Sequence, residues 1–291
     1  MKKLLLILLF LPLMTLAQSS TYIPDISFEF FLEYEGYGNG AIDGYVPTSS
    51  ISTITTLDLS LWGYTNQNPY GKITDLTGIQ YFSSLTTLDC SRHDIIVLDL
   101  SQNTGLTYLN CWWNDLTILN IPSTLQYLDC ASNYLTNLNV SNCPLLSYLD
   151  CGANLLTDID LNNNSILQNF ACHHGFLDSL NLSNNPLLQT LDCRSNLLTF
   201  LDLRNNNNLN IDTALHFLAT DNPNLYCISV DDPVWSTANW VNIDHYTSFS
   251  NSCANEVYGC LAPFAQNYNP NATINDYNCD GKVSIPDLNF Q

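Results

Sequence analysis

The chain has 291 residues, of which 27 are acidic and only 7 are basic, so its formal net charge at pH 7 is −20. A chain this negative repels nucleic acid and anionic lipid surfaces, and we therefore expect no nucleic-acid partner. Disorder is excluded as well, because 46% of the residues are apolar and they recur periodically. The charge favours solubility of an exported protein, and the alternative is an affinity for divalent cations or cationic partners.

Residues 1–17 have the features of a secretory signal peptide. Two lysines precede an apolar run from Leu4 to Leu16, and Ala17 supplies the small residue before the cleavage point. The run is shorter than the roughly 20 apolar residues that a membrane helix needs, and no other segment of the sequence could span a bilayer. The sequence therefore predicts cleavage after Ala17 and a protein that is secreted or held at the cell surface.

Residues 18–50 are predicted to form an amino-terminal cap with a short helix. Phe28, Phe31 and Leu32 have the spacing of one helical face, and Asp25 precedes them as a start signal. The first turn of a solenoid exposes its core on one side, so a covering helix is expected there.

A polar, aromatic and glycine-rich insertion occupies residues 61–71. It carries Trp62, Tyr64 and Tyr70. We expect these three side chains to form an exposed aromatic cluster on a loop.

Residues 51–224 contain a repeat whose period is close to 21 residues. Its motif is Leu-x-x-Leu-Asp-Cys-x-x-Asn, with cysteines at 90, 111, 130, 151, 172 and 193. A fixed period near 20 residues predicts a solenoid, and this leucine spacing is that of a leucine-rich repeat. Each turn also holds a second half-repeat, Leu-x-x-Leu-Asp-Leu-x-x-Asn. We therefore expect a mainly β solenoid with short parallel strands, two half-repeats per turn and strands on both sides of the coil.

The cysteines and asparagines of the repeat are predicted to be structural. Each cysteine sits between inward leucines and is expected to be a buried, reduced thiol, because in-register neighbours about 4.8 Å apart lack the facing geometry of a disulfide. The asparagine three residues later is expected to bond backbone groups of adjacent turns, in a ladder that His93 and Gly175 would break. Cys143 is expected to replace asparagine in the second half-repeat as a weak donor.

Four cysteines beyond the repeats are predicted to form two disulfides. Cys227 and Cys253 would close a carboxy-terminal cap at residues 225–255, where a loop of about 26 residues makes a bridge worth about 3 kcal/mol. Cys260 and Cys279 would hold together a small module, residues 256–281, that has little core of its own.

Residues 282–291 are predicted to begin a second cap. The spacing Ile-Pro-Asp-x-x-Phe occurs at residues 285–290 as it does at residues 23–28. We therefore expect the sequence to be the front part of a longer array.

These motifs together resemble secreted leucine-rich repeat proteins of Bacteroidetes-type bacteria. The resemblance rests on the leader ending Leu-Ala-Gln, Ile-Pro-Asp-x-x-Phe, Leu-Asp-Cys-x-x-Asn, Asn-Pro-Asn-Leu-Tyr-Cys-Ile and Gly-Cys-x-x-Pro-x-Ala-x-Asn-Tyr-Asn-Pro-x-Ala-Thr. It covers nearly all of the chain. It implies export, often by the type IX route, and binding or adhesion at the cell surface. The carboxy-terminal sorting domain that this route usually needs is not among these residues.

A candidate ligand site lies on the outward face of the Leu-x-x-Leu-Asp-Cys strands, here called the strand face. Alternate residues of each strand point outward, which stacks three tyrosines beside a tryptophan and a strip of carboxylates. Such a patch suits sugar rings, peptides or cationic side chains, although stacked tyrosines also stabilise neighbouring strands without binding anything. The candidate residues are Tyr108, Tyr127, Tyr148, Trp112, Asp129 and Asp150.

Metal binding and catalysis are weakly indicated. Stacked aspartates could hold calcium but lack a wrapping loop, and the Asn275–Asp280 segment has a loop but no recognised ligand spacing, so calcium stays open at both places. His173 and His174 lack the other ligands of a zinc site. No nucleophile elbow or phosphate-binding glycine loop occurs, and we expect no enzyme activity, metal or cofactor.

The sequence therefore predicts a secreted or cell-surface module that binds a protein or carbohydrate ligand through its strand face. Two alternatives remain. The repeats could be a structural spacer, or the chain could be a non-catalytic part of a larger exported enzyme.

Overall fold

A computed structural model of the chain describes residues 19–211, 216–253, 258–263, 265–272, 274–275 and 279–280. The signal peptide predicted at residues 1–17 and the second cap predicted at residues 282–291 lie outside the described residues. Within the described ranges the longest helix has nine residues, and none is long and apolar enough to cross a membrane.

The amino-terminal cap is a short helix held by an antiparallel ribbon. Its elements are β1 (Ser20–Tyr22), α1 (Ile26–Tyr34), β2 (Tyr45–Pro47), which pairs with β1, and α2 (Thr48–Ile51). The predicted helix is therefore present, with Phe28 and Leu32 fully buried. One carboxylate oxygen of Asp25 accepts from the N–H of Phe28 at 2.9 Å, and the other accepts from the N–H of Thr74 at 2.8 Å. Asp25 thus both caps the helix and ties it to the first turns.

The loop after α1 is organised by a buried carboxylate. Glu29 is 2% exposed. Its Oε1 accepts from the N–H groups of Asp43, Gly44 and Tyr45 at 2.8, 2.6 and 3.1 Å. Three charge-assisted hydrogen bonds satisfy the carboxylate and fix the return of the chain to β2.

The aromatic cluster expected in residues 61–71 is only partly exposed. Tyr64 and Tyr70 face solvent, but Trp62 is 5% exposed and the prediction for it is wrong. The Trp62 ring packs edge-on against Phe31 at 5.1 Å, and its Nε1 donates to the carbonyl oxygen of Ser27 at 2.9 Å. Helix α1 supplies the apolar partners that the insertion lacks by itself.

Two series of short strands alternate along the rest of the chain. In chain order they are β3 (Thr56–Asp58), β4 (Thr87–Asp89), β5 (Val97–Asp99), β6 (Tyr108–Asn110), β7 (Ile118–Asn120), β8 (Tyr127–Asp129), β9 (Tyr148–Asp150), β10 (Asn169–Ala171), β11 (Ser179–Asn181), β12 (Thr190–Asp192), β13 (Phe200–Asp202), β14 (Phe217–Leu218), β15 (Cys227–Ser229) and β16 (Ser248–Ser250). The main sheet has eight parallel strands in the order β14-β12-β10-β9-β8-β6-β4-β3.

The opposite side of the coil carries two smaller parallel sheets. One pairs β5 with β7, and the other has the order β11-β13-β15-β16. Between them, the equivalent residues at 138–140 and 159–161 bury the same apolar positions without strand pairing. The predicted fold is confirmed: a mainly β leucine-rich repeat solenoid with two half-repeats per turn.

The cysteine column lies inside the core. The seven cysteines from Cys90 to Cys193 are all buried and unpaired, which confirms the prediction of reduced thiols. Burial raises the pKa of Cys130 well above its usual range, and the other repeat thiols shift in the same direction for the same reason. Such thiols are poor nucleophiles, so their role is packing.

Asparagine side chains connect successive turns. Nδ2 of Asn154 donates to the carbonyl oxygens of Cys130 and Cys151 at 2.9 and 3.1 Å, and its Oδ1 accepts from the N–H of Leu135 at 2.9 Å. Asn114, Asn133, Asn196 and Asn222 make the equivalent bonds.

The expectation that His93 breaks this ladder is wrong. Its Nδ1 accepts from the N–H of Ile73 at 3.1 Å, so the proton lies on Nε2, which donates to the carbonyl oxygen of Leu59 at 2.9 Å. Burial lowers the pKa of His93 and keeps the ring neutral, as this bonding requires. Gly175 does interrupt the ladder, because glycine has no side chain that could bond the adjacent turns. In the second half-repeat, Cys143 donates to the carbonyl oxygen of Pro122 at 3.4 Å, as predicted.

The carboxy-terminal cap combines a helix, a strand and a disulfide. Helix α3 (Pro233–Asn239) packs against β16, and Trp240 is fully buried with its ring stacked on Phe217 at 4.2 Å. A disulfide joins Cys227 to Cys253, whose Cα atoms are 5.7 Å apart. A second disulfide joins Cys260 to Cys279, beside the paired strands β17 (Tyr258–Gly259) and β18 (Ile274–Asn275). Both pairings are those expected from the sequence.

Candidate functional site

The strand face is the outward surface of the main sheet, and the structure brings its predicted residues together. Parallel pairing in register places Tyr108 opposite Tyr127 and Tyr127 opposite Tyr148. In each of these strands the central leucine is buried and its two neighbours are partly exposed. The alternation of the strand therefore divides core from surface at every second residue.

The three tyrosines form a continuous ring stack. The centroids of Tyr108 and Tyr127 lie 4.3 Å apart with 12° between the planes, and those of Tyr127 and Tyr148 lie 4.2 Å apart with 9°. Burial raises the pKa of all three phenols, so their hydroxyl groups stay protonated. The rings cover each other's faces. The stack therefore stabilises the strands and presents ring edges and hydroxyl groups to a ligand.

Beside the stack, Asp129 and Asp150 are neighbours in register. Each receives one backbone hydrogen bond: Asp129 from the N–H of Ala131 at 3.1 Å, and Asp150 from the N–H of Gly152 at 2.9 Å. Burial raises the pKa of Asp129 to about 6, and the nearby Asp150 carboxylate adds to the rise. Burial also raises the pKa of Asp150. Both carboxylates are partly desolvated. The nearby His173 partly offsets the pKa rise at Asp150, whereas Asp129 has no cationic partner within the described residues.

Asp89 and Asp192, in the same column, have side-chain partners. Asp89 accepts from Nδ2 of Asn110 and from the hydroxyl of Ser91 at 2.9 and 2.7 Å. Asp192 is bonded by Nε and Nη2 of Arg194 at 2.9 and 2.7 Å. In the part of the chain that the structure describes, the ion pairs involve Asp94, Asp192 and Asp202.

Trp112 joins the strand face but is partly covered. The Arg92 guanidinium lies 5.2 Å from the centroid of its ring, and the Trp113 ring lies at 5.4 Å. Trp113 itself occupies a left-handed turn with φ of +56° and projects into solvent. Trp112 therefore presents a restricted ring surface at the edge of the tyrosine stack.

A depression at the carboxy-terminal end of the strand face was not expected from the sequence. It encloses about 390 Å³ of space, part of it open to solvent, and its lining includes Tyr148, Asn169, Ala171, Asp192 and His216. Strand β10 follows β9 on the side away from Tyr127, so the free face of the Tyr148 ring is turned toward this depression. The sequence feature that could have indicated this depression is Ala171, which interrupts the column of acidic residues. No sequence feature pointed to His216, because it lies where the repeat pattern has faded.

A metal ion is usually held by a cluster of ligating side chains. Among the described residues, no group of three histidine, cysteine, aspartate or glutamate side chains could hold a metal ion. The rings of His173 and His174 are T-shaped at 5.3 Å. Residues 276–278 of the suggested calcium loop lie outside the described residues, and that expectation stays untested.

No protein-family model matches this sequence, and no curated protein is significantly similar to it. Among solved structures, the chain is similar to the functional domain of InlJ from Listeria monocytogenes, which includes a cysteine ladder, with 22% identity, TM-score 0.39, and coverage of 82% of this chain and 75% of that one. It is similar to internalin C2 from Listeria monocytogenes str. 4b F2365, with 21% identity, TM-score 0.42, and coverage of 79% and 95%. It is also similar to the leucine-rich repeat domain of APL1, with 18% identity, TM-score 0.42, and coverage of 73% and 53%. Leucine-rich repeat proteins are thus among its structural neighbours, and likeness at this level carries no argument about function.

Proposed function

We propose that this chain is an exported leucine-rich repeat module that binds a protein ligand through its strand face. The observation that carries the proposal is the juxtaposition of the tyrosine stack with Asp129 and Asp150. These two carboxylates are desolvated by the fold and have one backbone N–H each. A lysine or arginine of a ligand would supply the cation that Asp129 lacks, with the tyrosine edges and hydroxyl groups beside it.

The stack geometry favours a protein over a carbohydrate. Sugars bind aromatic side chains mainly through the ring face. The faces within the stack are covered at 4.2 to 4.3 Å, so the outer face of Tyr148, which turns toward the depression, is the ring face left for a sugar there. Ring edges, hydroxyl groups and carboxylates instead suit peptide groups and basic side chains.

Export and a surface role fit the covalent structure. The two disulfides are typical of proteins in an oxidising environment. The predicted signal peptide and the motif resemblance to secreted Bacteroidetes-type proteins agree with such a location. A binding role also fits the strand face, most of which is a regular sheet of recurring side chains.

The test is a peptide array and a glycan array probed with the exported chain. Hits are then remeasured with a variant that carries Tyr108→Ser, Tyr127→Ser and Tyr148→Ser, and with a second variant, Asp129→Asn with Asp150→Asn. Ile118→Ser on the opposite sheet is the matched control, because Ile118 is equally a strand residue and is exposed. Circular dichroism checks that each variant is folded.

Binding of basic peptides that both strand-face variants lose and the control retains supports the proposal. Glycan hits that depend on the same residues would replace the protein ligand by a carbohydrate. If no array hit depends on the strand face, the proposal is contradicted. Two alternatives then remain, a structural spacer and a non-catalytic part of a larger enzyme.

A further inference from the structure

A row of exposed apolar side chains lies on the turn that follows the main strands. The four residues are Tyr134, Leu155, Phe176 and Leu197, each the fourth residue after a repeat cysteine, and we call them the apolar ridge. Their exposed fractions are 53%, 40%, 47% and 47%. They come from four successive turns, so about 4.8 Å separates neighbours and the row is about 14 Å long.

The ridge does not contribute to the core, which is formed by its neighbours. In each turn the preceding position is a buried ladder residue or Gly175, and the following residue is a buried leucine. Two positions before the ridge stand Ser132, Ala153, His174 and Ser195. The apolar side chains therefore project from surroundings that are small or polar, and contiguous apolar patches on a soluble surface mark interaction sites.

The backbone under the ridge is fixed by main-chain hydrogen bonds between successive turns. The N–H of Tyr134 donates to the carbonyl oxygen of Leu116 at 2.9 Å, and the N–H of Leu155 donates to that of Leu135 at 2.9 Å. The N–H groups of Phe176 and Leu197 repeat the pattern one turn and two turns on, at 3.3 and 3.0 Å. A surface that is already ordered loses little conformational entropy when it binds a partner.

The aspartates near the ridge in sequence lie outside the ion pairs of the described residues, whereas Arg194, three residues before Leu197, is paired with Asp192. Asp115 occupies the position equivalent to Tyr134 in the preceding turn. Asp178 follows Phe176 by two residues. Asp158 stands three residues after Leu155. None of these three carboxylates belongs to an ion pair within the described part of the chain. The net charge of the whole chain is −20.

We propose that the apolar ridge docks a basic amphipathic helix of a partner protein. The spacing selects the helix: side chains on one helical face recur about every 5.4 Å, close to the 4.8 Å step of the ridge, whereas side chains on one face of an extended peptide recur about every 6.7 Å. Over three steps the mismatch is about 2 Å for a helix and about 6 Å for a strand. Lysines or arginines beside the apolar face of the helix complement Asp115, Asp158 and Asp178.

A second copy of the chain is the less favourable occupant. Two copies meeting ridge to ridge would bring the same carboxylates together, and each copy has a charge of −20. The ridge also differs from the strand face in its residues and its chemistry, so this proposal does not depend on the proposed function.

The test measures binding of a synthetic leucine–lysine peptide of about 18 residues, long enough for five helical turns. A peptide of the same composition with scrambled order, which has no apolar face, is the peptide control. The exported chain is compared with Leu155→Ser combined with Phe176→Ser. The matched control combines Leu145→Ser with Leu187→Ser, two similarly exposed apolar residues on the opposite turn. Sedimentation velocity records self-association of each variant.

We expect the helical peptide to bind, and the ridge variant to weaken that binding by about tenfold or more while the control variant leaves it unchanged. Equal weakening by both variants, or equal binding of the scrambled peptide, would overturn the proposal and indicate adsorption to an acidic surface. Absence of binding would also overturn it. Self-association that the ridge variant alone removes would assign the ridge to a second copy. These variants leave Tyr127 and Asp129 unchanged. Ligand binding at the strand face can therefore fail or persist independently of peptide binding at the ridge.

Discussion

Replacing Asp129 with asparagine is expected to stabilise the fold at neutral and alkaline pH. Burial raises the pKa of Asp129 from 3.8 to about 6 in the folded state. Between these two values the folded chain binds more protons than the unfolded chain, so the free energy of unfolding decreases as pH rises. The penalty is complete above about pH 6 and disappears as pH falls toward the unfolded pKa. Asparagine removes it because the amide carries no charge.

The magnitude follows from the shift. One pKa unit corresponds to about 1.4 kcal/mol, so the rise from 3.8 to about 6 sets a ceiling of about 3 kcal/mol. The side chain is partly exposed and solvent screens it, so we expect a gain of about 1 to 2 kcal/mol. An amide fits this column, because Oδ1 of Asn110 accepts from the N–H of Trp112 at 3.1 Å, as Asp129 accepts from Ala131.

The assay is urea unfolding of the parent chain and of Asp129→Asn at about pH 8 and about pH 4.5. The difference between the two proteins should be largest at the higher pH, and most of it should be gone at the lower pH. Asp99→Asn is the control. The pKa of Asp99 is lowered by the N–H of Ser101, so this substitution should not stabilise the fold at either pH. A gain for Asp129→Asn that is independent of pH, or a loss at about pH 8, would refute the electrostatic reasoning.

Three further predictions concern the scaffold. Asn154→Ala leaves the carbonyl oxygens of Cys130 and Cys151 and the N–H of Leu135 without their side-chain partner. Urea unfolding should therefore show that the free energy of unfolding falls by about 2 to 4 kcal/mol. A decrease below about 0.5 kcal/mol would contradict a stabilising role of the asparagine ladder. Glu29→Gln weakens three charge-assisted hydrogen bonds and should cost about 1 to 3 kcal/mol, and an unchanged unfolding midpoint would mean that the cap loop does not depend on them. Titration of the unreduced protein with a thiol reagent in denaturant should find the seven free cysteines, whereas a count of one would show that the column is oxidised.

The repeat made most of the fold predictable. A cysteine column in register with leucines defines which residues point inward, and that register alone specifies the parallel pairing of Tyr108, Tyr127 and Tyr148. The caps were predictable because an open solenoid end must be covered. In each of these cases the position of one residue follows from the positions of its equivalents in other turns.

Features without an equivalent in other turns were missed or misjudged. Trp62 was expected to be exposed because its insertion has no core, but the partner that buries it, Phe31, comes from a separate element. His93 was judged by its difference from asparagine, although two ring nitrogens can supply one donor and one acceptor across the same turn. His216 lines the depression from beyond the regular repeats. Tertiary packing, which a single sequence does not display, decides such positions.

The stacking that fixes the register also brings identical side chains together. In the acidic column an unbroken run of aspartates would place like charges about 4.8 Å apart along the whole sheet. Asn110 and Ala171 interrupt the run, and Arg194 pairs with Asp192. Asp129 and Asp150 remain as an adjacent pair of desolvated carboxylates, of which only Asp150 has a histidine, His173, close enough to lower its pKa. Two opposite pH trends follow if a basic ligand is their natural complement. As pH falls through about 6, protonation of Asp129 should raise the free energy of unfolding of the free protein. The same protonation should lower the affinity for a basic ligand, since the protonated carboxyl no longer attracts a cation. If the carboxylates have only a structural role, the first trend alone is expected. Measuring the affinity of a strand-face ligand above and below this pH therefore distinguishes a binding face from a spacer.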